Sequence, residues 1–271
     1  RPRQRPEWGT AGMYGNRVVK WLVATPVAHR GLHDAEKPEN SIPAFRAAME
    51  HGFTIEIDVH LSSDGKLVVF HDDNLKRVCG VDKKVAKCTL AELKSMKLKG
   101  TEETIPTFDE FLALVDGKVG ILCEIKGLNP YDNSISAAVC ERLKTYKGNI
   151  ALQSFNYGAV RYCRRHTSLP CGQLCTWQNP STTGRSHLTD FMGKLWVNKL
   201  SKPHFIAYDV RDLEDNPYIV KARESLPVIT WTVNSAEKLE RAKKLADNII
   251  FEDICPLVES DYIPTHKPRT L

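Results

Sequence analysis

Short apolar runs alternate with amphipathic stretches along nearly the whole chain. Period-two runs separated by period-3.6 runs are the pattern of βα units, which build a parallel sheet. Strands are predicted over residues 23–29, 54–60, 120–125, 150–154, 171–175, 205–210, 228–233 and 248–251. Between them, Ser41 caps a helix that runs through Met49, with Pro43 tolerated in its first turn. Further helices are expected from Pro106 or Thr107 to Asp116-Gly117, and over 134–146, 157–166, 188–200, 217–224 and 235–246. Residues 177–187 carry Pro180 and Gly184 and look like a loop. One region breaks the alternation. Ser62-Ser63-Asp64-Gly65 makes a turn, 66–70 returns as an extended arm, and 73–105 is polar and lysine-rich with one helical stretch at 90–96.

Eight strands in one series, in a chain of 271 residues, suit closure into a TIM (β/α)8 barrel, which takes about 250 residues. The fold class is therefore α/β, a single barrel over 1–271 with a small insertion, 73–105, after the second strand. An open doubly wound sheet is the competing arrangement, but no glycine-rich dinucleotide loop supports it.

Composition narrows the function. The apolar content of 42% is ordinary for a globular enzyme. The net charge of +5 is partly carried by the tails, at Arg1, Arg3, Arg5, Lys267 and Arg269, too scattered to argue for nucleic acid. None of the eight cysteines forms a C-x-x-C pair; Cys171 and Cys175 lie within one strand. Zinc and a disulfide scaffold are disfavoured, and a reducing, cytoplasmic location is expected. No apolar run reaches the roughly 18 residues of a bilayer span. The run 18–24 is interrupted by Lys20 and leads into the first strand; the chain begins with arginine, leaving room for an upstream signal or anchor.

The candidate chemistry is concentrated at strand ends. Val27-Ala28-His29-Arg30-Gly31 is followed by Pro38-Glu39-Asn40 and by Glu56-Ile57-Asp58. Alternate side chains of a strand share a face, so Glu56 and Asp58 point together. Buried carboxylates need a cationic partner. A later strand adds Glu124 and Lys126 on one face, and the arm ends in His71-Asp72. Glu56, Asp58 and Glu124 against Arg30 and Lys126 leave surplus negative charge. That set suits a hard divalent ion with oxygen ligands, Mg²⁺ or Ca²⁺; buried salt bridges alone are the competing reading. His29 and His71 are the expected acid–base pair. Arg30 and Lys126 would grip phosphate oxygens.

The pieces His29-Arg30-Gly31, Pro38-Glu39-Asn40-Ser41, Glu56-Ile57-Asp58-Val59, Asp64-Gly65, His71-Asp72, Glu124-Ile125-Lys126, Gln153-Ser154-Phe155 and Trp231-Thr232-Val233-Asn234 occur in one order over most of the chain. In this the sequence resembles the glycerophosphodiester phosphodiesterase family. The resemblance implies a TIM-type barrel and metal-dependent hydrolysis of a small glycerophosphodiester to glycerol 3-phosphate and an alcohol. A lysophospholipase D or sphingomyelinase D-like reaction on lipids, using the same residues, is the alternative; no membrane-docking loop is evident. A catalytically silent binding protein is opposed by the intact histidines and carboxylates. The segment 73–105 corresponds to an insertion of the family, expected over the C-terminal mouth on the leaving-group side. Trp231 is expected against the glycerol carbons, and Glu39 is expected to orient Arg30. Asn40, Gln153, Phe155 and Asp209 are weaker candidates. His33 and His60 are expected in support, and His51, His166, His187, His204 and His266 at the periphery. One departure stands out: where the family has Thr-Asp before a proline, this chain reads Phe251-Glu252-Asp253-Ile254-Cys255-Pro256.

Overall fold

The structure is a computed structural model that describes residues 20–177, 187–214 and 216–256. The tails, with Arg1, Arg3, Arg5, His266, Lys267 and Arg269, and residues 178–186 of the expected loop lie outside the described residues. The strands are β1 (Val27–Ala28), β2 (Thr54–Leu61), β3 (Leu67–Val69), β4 (Ile121–Ile125), β5 (Ile150–Ser154), β6 (Cys171–Cys175), β7 (Phe205–Asp209), β8 (Val228–Val233) and β9 (Asn248–Phe251). Their order is β1-β9-β8-β7-β6-β5-β4-β2-β3, and β1 also pairs with β2. Eight parallel strands thus close into a TIM barrel, with β3 attached antiparallel to the far part of β2.

The alternation of side chains builds two apolar layers. Ile55, Ile57 and Val59 of β2 face the surrounding helices in the main core. Val27, Leu122, Ala151, Phe205, Ile229 and Ile250 meet inside the barrel. The floor of that inner layer corrects one expectation. Residues 23–24 are not strand but the end of α1 (Lys20–Ala24), which places Leu22 in the inner cluster with Trp21 against it. A strand here would have no partner, because both neighbours of β1 pair only with Val27 and Ala28. Asn248 Nδ2 instead donates to the Leu22 and Thr25 carbonyls at 2.6 and 2.7 Å and fixes α1 as a plug.

The outer helices follow their capping signals. In α2 (Ile42–Glu50) Ser41 accepts from the Ala44 N–H, and Pro43 sits in the first turn. The α3 (Lys76–Cys79) and α4 (Leu90–Lys94) helices lie in the insertion. Capping boxes open α4 (Thr89 with Glu92) and α5 (Phe108–Val115; Thr107 with Glu110). The remaining helices are α6 (Ser134–Leu143), α7 (Tyr157–His166), α8 (His187–Gly193), α9 (Asn198–Ser201), α10 (Pro217–Ala222) and α11 (Ala236–Leu245). The expected helix 188–200 is therefore two pieces. Gly193 packs so closely on Trp177 that a Cβ would lie 2.5 Å from its Cγ, and Leu195 adopts a left-handed φ of 58°.

Residues 73–105 hold a separate apolar cluster of Leu75, Val78, Val85, Cys88, Leu93 and Leu98, seated on Val68 and Phe70 of the arm. All eight cysteines are free, six of them buried. No helix of the described residues is long and apolar enough to cross a membrane.

Candidate active site

Register brings the acidic residues together. In the β2–β4 ladder Asp58 pairs with Glu124, and in the next ladder Glu124 pairs with Gln153. Glu56 lies two residues before Asp58 on the same face. One carboxylate oxygen each from Glu56, Asp58 and Glu124 lies within 4.8 Å of the other two, and all three residues are buried.

The loop after β1 folds over this cluster. Arg30 has a φ of 55° and Gly31 of 82°, and a Cβ on Gly31 would meet the Ala44 backbone at 2.9 Å. Only glycine fits that contact, and the turn aims the Arg30 N–H at Glu56 Oε2, 3.1 Å away. Asn40, also left-handed at 55°, donates from Nδ2 to Asp58 Oδ2 at 2.9 Å; asparagine tolerates this region better than most residues. Arg30 Nη1 donates to Glu39 Oε1 at 2.7 Å, and its Nε lies 3.6 Å from Asp58 Oδ2. Lys126, just beyond β4, puts Nζ 2.7 Å from Glu124 Oε1 and 2.8 Å from Asp58 Oδ1. The second contact is an ion pair with a fully buried carboxylate.

The two cations do not neutralise the cluster evenly. Burial, then repulsion from Asp58 and Glu124, pushes the Glu56 carboxyl well above its usual range. Burial also raises Glu124. Asp58 is held below its usual range, because Lys126, His71 and Arg30 outweigh its burial. Crowded, buried carboxylates in an all-oxygen donor set fit a hard divalent cation. Glu56, Asp58 and Glu124 could hold one.

Both histidines are gripped at Nδ1. His29 meets Glu252 Oε2 at 2.6 Å, and His71 meets Asp72 Oδ1 at 2.6 Å. Such a carboxylate fixes ring orientation and leaves Nε2 toward the site. Burial lowers the His29 pKa and Arg30 adds to this, while Glu252 pulls it back up. Glu252 also lies 3.7 Å from His33 Nε2 and accepts from Asn234 Nδ2 at 3.5 Å. In sequence Glu252 stands out only as a departure from the family's pattern, yet it contacts a principal candidate. The available signal was topological: in a closed barrel the residue after the last strand stands beside the residue after the first.

A second network leads outward. Glu39 is 6% exposed and binds Arg30, Arg77 (2.7 Å to each oxygen) and Lys99 (3.3 Å). Burial alone would raise its carboxyl, but Arg77 and Arg30 hold it down to about 2. Arg77 Nε also donates to Asp72 Oδ2 at 2.7 Å, so the insertion reaches the carboxylate that grips His71. The His60 ring lies 3.2 Å from the His71 carbonyl. Trp231 donates from Nε1 to the Ala207 carbonyl at 3.1 Å and meets Phe155 edge-on, with ring centroids 5.5 Å apart. Gln153 Oε1 is buried without a partner. Asp209 is engaged by Arg211 and Thr176. His51 and His166 bond carbonyls on their own helices, His187 is exposed, and His204 contacts Arg164.

Acidic and basic side chains are thus gathered beyond the C-terminal strand ends of an α/β barrel, where barrel enzymes carry their active sites. Residues 29–254 match the glycerophosphoryl diester phosphodiesterase family model, and the chain belongs to that family. The glycerophosphodiester phosphodiesterase of Caldanaerobacter subterraneus subsp. tengcongensis is 28% identical over 84% of this chain and 93% of its own. The lysophospholipase D GDPD1 of Rattus norvegicus is 33% identical over 88% of this chain and 85% of its own. An Oleispira antarctica phosphodiesterase, solved in complex with the product sn-glycerol-3-phosphate, superposes with a TM-score of 0.67 at 27% identity, covering 84% of this chain and 92% of that one.

Proposed function

We propose that this enzyme hydrolyses glycerophosphodiesters to glycerol 3-phosphate and an alcohol, by acid–base catalysis at His29 and His71. The observation that carries the reading is the pair of histidines, each held at Nδ1 by a carboxylate at 2.6 Å, beside three carboxylates within 4.8 Å of one another. One histidine takes a proton from water as its oxygen bonds to phosphorus. The other delivers a proton to the alkoxide as the phosphorus–oxygen bond to the alcohol breaks. Arg30 and Lys126 bind the non-bridging phosphoryl oxygens, exchanging some of their carboxylate contacts for substrate. A Mg²⁺ or Ca²⁺ ion held by Glu56, Asp58 and Glu124 would supply further neutralisation of charge on those oxygens. Trp231, pinned by its indole N–H and Phe155, offers a rigid apolar wall to the glycerol carbons. The insertion, tied to the site through Arg77, shapes the side of the pocket that receives the alcohol.

The rat relative's name supports a second reading, in which the glycerol carries an acyl chain and a lysophospholipid is cleaved to lysophosphatidic acid and its head-group alcohol. Release of glycerol 3-phosphate from a panel of glycerophosphodiesters, and of choline from lysophosphatidylcholine in parallel, each with and without chelator, tests both. Chelator-sensitive turnover of the water-soluble diesters supports the first. Turnover of the lipid alone supports the second.

A further inference from the structure

On the outside of the barrel, α7 and α9 enclose a groove of about 350 Å³ lined by Arg161, Arg164, Arg165, Lys199 and Lys202, with Leu200 beside them. Its place follows from the topology. The chain passes from α7 into the start of β6 and from α9 into the start of β7, so the groove lies toward the N-terminal end of the barrel. The site lies at the other end. Arg164 contacts the ring of His204. Among the described residues no carboxylate pairs with Arg161, Arg165, Lys199 or Lys202. At the site, by contrast, Arg77 is held by Glu39 and Asp72. Cations in a last helical turn complement the helix dipole, which accounts for Arg164, Arg165 and Lys199. It does not account for Arg161, a turn earlier, nor for the apolar groups beside them. Trp196 is 50% exposed and Leu200 42%. The Trp196 carbonyl accepts from the Lys199 N–H at 3.1 Å, so the exposed indole leads directly into the turn that carries Lys199 and Leu200. Lys194 Nζ stands 5.5 Å from the indole centroid.

We propose that this face docks the barrel on an anionic lipid bilayer. Unpaired cations are drawn to an acidic headgroup surface. An indole with an adjacent leucine gains by entering the interface, where tryptophan is enriched. A phosphate polyanion such as RNA would use the cations but would leave Leu200 unburied, so the lipid surface suits the whole set better. Docked this way, the barrel turns its mouth away from the membrane, toward diesters released into water.

The test is co-sedimentation of the full chain with phosphatidylcholine vesicles, with and without phosphatidylglycerol. Binding is expected only to the anionic vesicles and to weaken steeply at high salt. The Arg165→Glu/Lys199→Glu pair should weaken it at least about tenfold, and Trp196→Ala should weaken it without altering the salt dependence. Arg165→Gln/Lys199→Gln provides a milder pair should charge reversal perturb folding. Turnover of a water-soluble diester should be unchanged in all of them. Equal binding to neutral vesicles, indifference to these substitutions, or tighter substitution-sensitive binding to RNA than to anionic vesicles would overturn the proposal.

Discussion

Glu252 and His29 are separated by 223 positions in sequence and by 2.6 Å in space. Barrel closure explains it: Ala28 pairs with Phe251, so the residue that follows each comes to face the other. The carboxylate favours the protonated ring and selects the tautomer. Glu252→Gln should therefore lower kcat about 10–100-fold with a smaller change in KM. The limb of the pH–rate profile that belongs to His29 should move to lower pH, because the group that raised its pKa is gone. An unmoved limb would show that the contact is structural only.

Chelation should abolish turnover, and Mg²⁺ or Ca²⁺ should restore it. Apart from activity, calorimetry should show the cation stabilising the fold by about 2.7 kcal/mol at a hundredfold excess over Kd. Glu56→Gln, Asp58→Asn and Glu124→Gln should each remove that stabilisation. Full activity in excess chelator would refute the assignment.

His29→Ala and His71→Ala should each slow hydrolysis by about 10²-fold or more while the thermal midpoint stays close to that of the parent. A nitrophenyl diester separates their roles, since its leaving group needs no proton. On that substrate the variant lacking the acid should approach the parent rate, and the variant lacking the base should stay slow. Two variants equally fast on ordinary diesters would leave the pair without a role.

Glu39 predicts an acid-labile link. Its carboxyl is held down at about 2 against an ordinary 4.5. A depressed folded-state pKa contributes stability that is complete above about pH 4.5 and lost as pH falls toward 2. With half-exposed Arg77 as one partner, the contribution is about 1–3 kcal/mol. Denaturant melts across that window should show the loss, and Arg77→Ala should flatten it. Parallel curves for parent and variant would contradict it.

The fold was legible where the signal is local. Strands at 150–154, 171–175, 228–233 and 248–251 and the helix at 157–166 have the bounds read from the alternation. Their patterns are short and uninterrupted, and their turns carry polar caps. The first strand failed because an apolar run says only that residues are buried. Leu22 is buried as part of a plug, not as a rung of the ladder. The helix at 188–200 failed because the close approach of Gly193 to Trp177 is a tertiary contact. The site divides the same way. Two-residue spacing put Glu56 and Asp58 on one face, but the pairing of Asp58 with Glu124 depends on register. Glu252 with His29, and Arg77 with Glu39, depend on which chain ends the barrel and its insertion bring together.

Only Val27 and Ala28 form β1, yet they carry ladders to β2 on one side and β9 on the other. Bonds from the Thr54 N–H to the Pro26 carbonyl and from the His29 N–H to the Phe251 carbonyl flank this short joint. His29 and Arg30 are mounted directly on that joint. On warming, the cylinder should part first where it has fewest rungs, so activity should fall while the helices around the remaining wall still stand. Turnover lost below the thermal midpoint would mark this joint as the clasp that opens first.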